Sequence, residues 1–180
     1  NTILDGDSLS RLIALDEISE FKVESLTIRN GYESRGGAIS CINSAPVFQS
    51  ILFLQNRSVV AAGVLEQQES SPVFINCSFV ANSSDAGATG VTVFNSPSYP
   101  VFINSLVWEN GLIPIYAGAG QIILVNTLIE RGEASVLGFS QWFGQTIDAD
   151  PQFVGGEPFS YHLSSSSPGI NAGTAFFELD

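Results

Sequence analysis

The sequence predicts an all-β solenoid, a right-handed parallel β-helix of about five to six coils of ~26 residues each, from three observations. First, one segment recurs. Pro46-Val47-Phe48-Gln49-Ser50-Ile51-Leu52-Phe53-Leu54-Gln55-Asn56 returns with small changes at 72–82 and 100–110, so that Asn56, Asn82 and Asn110 close successive copies at nearly constant spacing. Second, each unit breaks into three short β-rich runs separated by polar residues, and no ten-residue window has helical apolar spacing. Third, superposing the units yields columns of one chemical type. Phe48, Phe74, Phe102 and Leu124 form one, Phe53, Phe79, Val107 and Ile129 a second, and Ile13, Ile39, Leu65 and Thr92 a third. Such columns are the inward ladders expected of stacked coils.

Taken in order, residues 1–9 with the turn Leu4-Asp5-Gly6-Asp7 read as the tail of a coil whose beginning lies outside the sequence. The first coil runs from Arg11-Leu12-Ile13-Ala14-Leu15 through residues 21–31. A shift of one period lays Gly37-Ala38-Ile39 over it, and a second shift lays Gly63-Val64-Leu65 there. A fourth coil holds Gly90-Val91-Thr92-Val93 and residues 101–110, lengthened by Asn95-Ser96-Pro97-Ser98-Tyr99. A fifth ends in Ile122–Ile129. The expected division is residues 1–135 as β-helix coils without an N-terminal cap, and 136–180 as an irregular last coil and C-terminal cap, since a solenoid must close its open end.

Two asparagine columns stand at breaks between strands. Asn76, Asn104 and Asn126, preceded by Glu24 and Ser50, are expected to form a ladder at a left-handed bend with Asn76 facing inward. Asn56, Asn82 and Asn110 are expected to do similar work at the next turn.

Bulk composition narrows the function. The formal charge of −12, from 6 Lys+Arg against 18 Asp+Glu, repels nucleic acid and anionic membrane surfaces. No apolar run approaches the ~20 residues of a membrane helix, so direct membrane insertion is not expected. The absence of Met implies a processed product or a piece of a longer chain. Cys41 and Cys77 are too few for a disulfide framework and lack metal spacing.

Gly36-Gly37-Ala38-Ile39, with Phe53-Leu54-Gln55-Asn56 and Phe79-Val80-Ala81-Asn82, resembles the paired GGA[ILV] and FxxN repeats of polymorphic outer-membrane proteins. Asp148-Ala149-Asp150-Pro151-Gln152-Phe153, followed by Tyr161-His162-Leu163 and residues 167–173, resembles the closing segment of bacterial secreted β-helix proteins. The resemblance implies an exported, surface-associated β-helix, often an adhesin. Later repeats depart from it: Ala62-Gly63 and Thr89-Gly90 keep one Gly of the pair, and Trp108 follows Val107 where the pattern has Phe.

Chemistry-bearing residues are sparse. Lys22, Glu24 and Glu66 form no aligned acid–base group, so a polysaccharide lyase or hydrolase, or its inactive carbohydrate-binding relative, is the alternative rather than the expectation. His162 falls in the tail signature and is assigned a packing or capping role rather than that of a general base. Asp148 and Asp150 offer paired carboxylates that could hold Ca²⁺, against the simpler role of turn hydrogen bonding. N-x-S sequons begin at Asn56, Asn76 and Asn82. Ile28, Leu54, Val80 and Trp108 form an apolar column at outward positions, as do Val47, Val73, Val101 and Ile123. Exposed, such a stripe is a contact site; the alternatives are a one-residue error in facing, or cover by Trp142, Phe143, Phe176 and Phe177. The expected function is a non-enzymatic, extracellular or cell-surface structural or adhesive module of a larger protein or assembly, binding protein or glycan.

Overall fold

A chain that repeats every 26 to 28 residues can pass each backbone N–H to a carbonyl of the neighbouring repeat, so its hydrogen bonds run between coils rather than within them. The computed structural model describes residues 2–87, 89–94, 96–156 and 160–175 and has this architecture, a parallel β-solenoid.

The first face stacks β2 (Ile13–Asp16), β6 (Ile39–Ile42), β10 (Leu65–Gln68) and β14 (Thr92–Phe94). The second stacks β3 (Lys22–Glu24), β7 (Val47–Gln49), β11 (Val73–Ile75) and β15 (Val101–Ile103). The third stacks β1 (Thr2–Asp5), β4 (Leu26–Arg29), β8 (Leu52–Leu54), β12 (Ser78–Val80) and β16 (Leu106–Trp108). A short ladder of β5 (Tyr32–Arg35), β9 (Arg57–Ala61) and β13 (Ser83–Ser84) leads from the third face back to the first. β17 (Ile115–Ile129) passes along all three faces without a break. After a 3₁₀ turn at Gly132–Ser135, β18 (Val136–Ile147) lies on β17 with two register shifts.

The three predicted apolar columns are in register, and all their members are buried except Ile13 in the first coil, which is partly buried against the core. Phe48 stacks on Phe74 at 5.2 Å between ring centroids, and Phe53 on Phe79 at 4.8 Å. The two columns meet edge to face, Phe74 against Phe79 at 5.2 Å. Each buried phenyl contributes about 1.5–3 kcal/mol of transfer free energy, with ~0.5–1.5 kcal/mol more per aromatic pair.

The asparagine columns divide their roles differently from the sequence expectation. Asn76, Asn104 and Asn126 sit in the left-handed region, at φ 52°, 50° and 47°, below Ser25 and Ser50 at 59° and 54°. They form no amide ladder among the described residues. Asn76 is exposed rather than inward; Asn104 and Asn126 bond the Thr174 backbone and the Gln145 N–H. Ser25, not Glu24, heads this column, because Glu24 pairs with Gln49. The buried ladder is Asn56, Asn82 and Asn110. Asn82 Oδ1 accepts the Asn56 backbone N–H at 2.9 Å and its side-chain amide at 3.0 Å, and Asn110 Oδ1 accepts the same pair from Asn82 at 3.0 and 2.8 Å. The amides then donate to the carbonyls of Ile28, Phe53 and Phe79. Gly63 and Gly90 lie against these corners: a Cβ at Gly63 would stand 2.6 Å from the Asn56 carbonyl oxygen, so the backbones approach as only glycine permits.

A second buried ladder comes from Ser44, Ser70 and Ser98. Ser44 Oγ accepts the Ile18 N–H at 3.0 Å, Ser70 Oγ the Ser44 N–H at 3.1 Å, and Ser98 Oγ the Ser70 N–H at 3.3 Å.

Beyond β18, the described chain runs along the outside of the solenoid. The segments around Phe153 and Leu163 pair in antiparallel fashion, with Val154 donating to the His162 carbonyl. Phe153, Tyr161 and Leu163 pack on Leu54, Val80, Leu106 and Leu128 of the third face. The segment assigned as a cap is thus a lateral strap over its described length.

The two asparagine columns should respond oppositely to mutation. Asn82→Ala removes acceptors and donors that serve Asn56, Asn110 and Phe53, and should cost at least about 3 kcal/mol, at ~1–3 kcal/mol for each buried group left unpaired. Asn76→Gly, at an exposed left-handed position, should be neutral or slightly stabilising. Urea unfolding of both variants measures the contrast.

Candidate functional site

Outward positions of the third face form two columns. One reads Thr27, Leu52, Ser78, Leu106, Leu128, and the other Arg29, Leu54, Val80, Trp108. Ile28 belongs to neither: it pairs with Phe53, points inward and is fully buried. The first coil is one residue short in its second half, so Glu24 pairs with Gln49 rather than standing beside Ser50, and Arg29 takes the outward place assigned to Ile28.

The predicted stripe is not an exposed contact surface. Leu54 and Val80 are buried and Trp108 half-buried beneath the strap. The cover comes from Phe153, Tyr161 and Leu163. Trp142 instead packs into the central core and Phe143 is exposed, while Phe176 and Phe177 lie outside the described residues. The column Val47, Val73, Val101, Ile123 is in register; Val101 is buried and clusters with Ile103 and Val125.

Where the outward columns turn polar, at Thr27, Arg29 and Ser78, the strap gives way to a groove of about 460 Å³. Leu52 and Leu54 lie in it, and Ser25, Ser50 and Asn76 follow one another along it from successive left-handed bends. Ser160, Tyr161 and His162 of the strap form one wall. At Asn76 and Ser78 it adjoins a smaller cavity of about 260 Å³ beneath residues 163–173. No carboxylate lines the groove among the described residues. The charge of Arg29 is held by Asp5, with Nε 2.7 Å from Oδ2. Asp5 also accepts the Asn30 side-chain amide at 2.9 Å and the Asp7 N–H at 3.0 Å. These hydrogen bonds, that of Asn30 foremost, lower its pKa to about 2.

The remaining candidates are dispersed. Asp148 accepts the Arg131 N–H at 2.8 Å and Asp150 the Gln152 N–H at 2.7 Å, which is turn chemistry; the described residues contain no group of three or more metal-ligating side chains. Lys22 pairs with Glu24 at 2.7 Å and Arg11 with Glu66 at 3.3 Å, on different coils. The sequon residues Asn56 and Asn82 are buried, and Asn76 is exposed. Cys41 and Cys77 are free and buried, and desolvation pushes both thiols up to about 12. Among the described residues no helix is long and apolar enough to cross a membrane.

The fold defines the class, a parallel β-helix repeat protein. Comparison with family models, curated proteins and solved structures finds no match to this chain, so the specific repeat families it resembles are not confirmed.

Two measurements check this electrostatic account. Asp5 is depressed in the folded state, so its contribution is present above the unfolded carboxylate pKa near 4 and is lost as pH falls toward 2. Wild type should be more stable than Asp5→Asn above about pH 4, with the gap closing toward pH 2, as read from urea midpoints. Iodoacetamide at pH 8 should leave both cysteines unmodified in the native protein and alkylate both in urea.

Proposed function

We propose that this β-helix is a rigid, non-catalytic extracellular or cell-surface module of a larger protein or assembly, and that its lateral groove holds an uncharged glycan. The observation that carries this reading is the lining. Hydroxyls and amides from Ser25, Thr27, Ser50, Asn76 and Ser78 stand opposite Tyr161 over leucine side chains, with no carboxylate between them. A sugar ring presents hydroxyls at its edge and an apolar face, and such a site answers both. The charge of −12 and the prior engagement of Arg29 by Asp5 count against an acidic polysaccharide. The αL bends repeat once per coil, so they offer a donor–acceptor row about 4.8 Å apart along the axis, suited to an extended chain of rings.

Titration calorimetry with neutral oligosaccharides tests the proposal. Binding should be insensitive to salt and weaken roughly two- to tenfold in Thr27→Ala and again in Ser78→Ala, from ~0.5–1.5 kcal/mol per hydrogen bond lost. Absence of binding across a neutral panel, or binding untouched by both variants, would overturn it.

A further inference from the structure

The column of left-handed bends divides in two along the solenoid. Ser25, Ser50 and Asn76 are exposed and line the groove, whereas Asn104 and Asn126, next in the same column, are half-buried. Asn104 is covered by the end of the strap. Its Nδ2 donates to the Thr174 carbonyl and its Oδ1 accepts the Thr174 N–H, both at 2.8 Å. Gly173 lies so close that a Cβ there would stand 2.9 Å from Asn104 Cγ. The cavity of about 260 Å³ that adjoins the groove at Asn76 and Ser78 runs beneath this segment to Asn104 and Asn126. Asn126 is engaged from another side, its Oδ1 accepting the Gln145 N–H of β18 at 2.9 Å.

We propose that the end of the strap occupies the next subsite of the groove, at Asn104, and so sets the length of glycan that the groove holds. This rests on the assignment of the groove to an uncharged glycan. The two occupants match in chemistry. Thr174 presents Asn104 with one donor and one acceptor, as two neighbouring ring hydroxyls would. From Leu163 to Thr174 the chain contains no Lys, Arg, Asp or Glu, and Ser164 to Ser167 are consecutive serines, so this segment is itself neutral and rich in hydroxyls. Asn76 and Asn104 stand one coil apart, about 4.8 Å along the axis, roughly the advance of one more sugar ring. Lifting Gly173 and Thr174 frees the Asn104 carboxamide in line with the bends already lining the groove. The extension ends there, because Asn126 stays bonded to β18. Phe153, Tyr161 and Leu163 hold the strap to the third face separately, so its end can lift while the groove wall remains seated.

Titration calorimetry with linear gluco-, manno- and xylo-oligosaccharides, lengthened ring by ring, tests the assignment. In wild type, affinity should rise with length until the bends from Ser25 to Asn76 are spanned, and then level off. In Gly173→Val the added side chain forces the backbone off Asn104. Short members should bind this variant as they bind wild type, and the next ring should add about two- to tenfold, with no gain beyond it. Asn104→Gly in the same background keeps the left-handed bend and should abolish the gain. Thr174→Pro, which removes the N–H bonded to Asn104, should reproduce the gain, and carries the comparison if Gly173→Val fails to fold. Levelling off at the same length in wild type and the strap variants, or a gain that survives Asn104→Gly, would overturn this inference and leave the glycan reading standing. Failure of wild type to bind any of the series would overturn both.

Discussion

The buried carboxamide ladder of Asn56, Asn82 and Asn110 is the constraint from which the rest of the coil follows. At the corner leaving the third face, Gln55, Ala81 and Glu109 adopt left-handed backbone at φ 53°, 53° and 58°. That turn reverses the peptide plane and leaves the next N–H pointing into the interior, where nothing in a strand ladder can meet it. Asn82 and Asn110 each satisfy that N–H in the coil before them, and donate to a carbonyl of the same coil. Gly31 closes the row, its N–H donating to Asn56 at 2.9 Å. The cost of an unpaired amide in this dry core fixes both the residue type and its spacing.

The glycine and asparagine motifs then read as one device rather than two. Gly63 and Gly90 must be glycine because the asparagine corner's carbonyls occupy the space of a Cβ. The other glycine of the pair, Gly36, sits at φ 58°, and Ala62 takes that conformation in the next coil at 58°. Left-handed backbone costs an alanine about 1–2 kcal/mol, whereas a side chain at the contact glycine would separate the coils. The later repeats keep the glycine that lies against the asparagine corner and replace the counterpart of Gly36, although at Gly36 itself a Cβ would also stand 2.3 Å from the Ile39 carbonyl oxygen.

What the sequence made legible was whatever stacks. Phe48, Phe74 and Phe102 announce their column because an inward aromatic repeats with the coil. Serines of the Ser44-Ala45-Pro46, Ser70-Ser71-Pro72 and Ser98-Tyr99-Pro100 triplets stood in the same register, two positions before the proline, and their ladder could have been found by extending the repeat leftward. Ile28 was misplaced because the first coil drops a residue at a corner. Ile13 pairs with Ile39, a full period on, but Val23 pairs with Phe48, one position short of a period. With a two-residue alternation, that single slip exchanges inside for outside. The groove itself was not legible. It depends on where a non-repeating tail lies, and contacts such as Asn104 to Thr174, at 2.8 Å, join positions that no periodicity relates.

The strap changes how the solenoid holds together. Coils that touch only their neighbours share stability by nearest-neighbour terms, and the outer coils are the first to open. Phe153, Tyr161 and Leu163 run across that order. They bury Leu54, Val80, Leu106 and Leu128, one residue from each of four successive coils, under a single segment. Opening any one of those coils therefore exposes apolar surface on the strap as well as on the neighbour. The wall of the groove, Ser160 to His162, stands at the end of this same segment. A ligand resting against Tyr161 and the bends at Ser50 and Asn76 would touch both the stack and the strap that ties it. Its binding would thereby favour the seated strap, and rigidity gained by the coils and occupancy of the groove would be linked quantities.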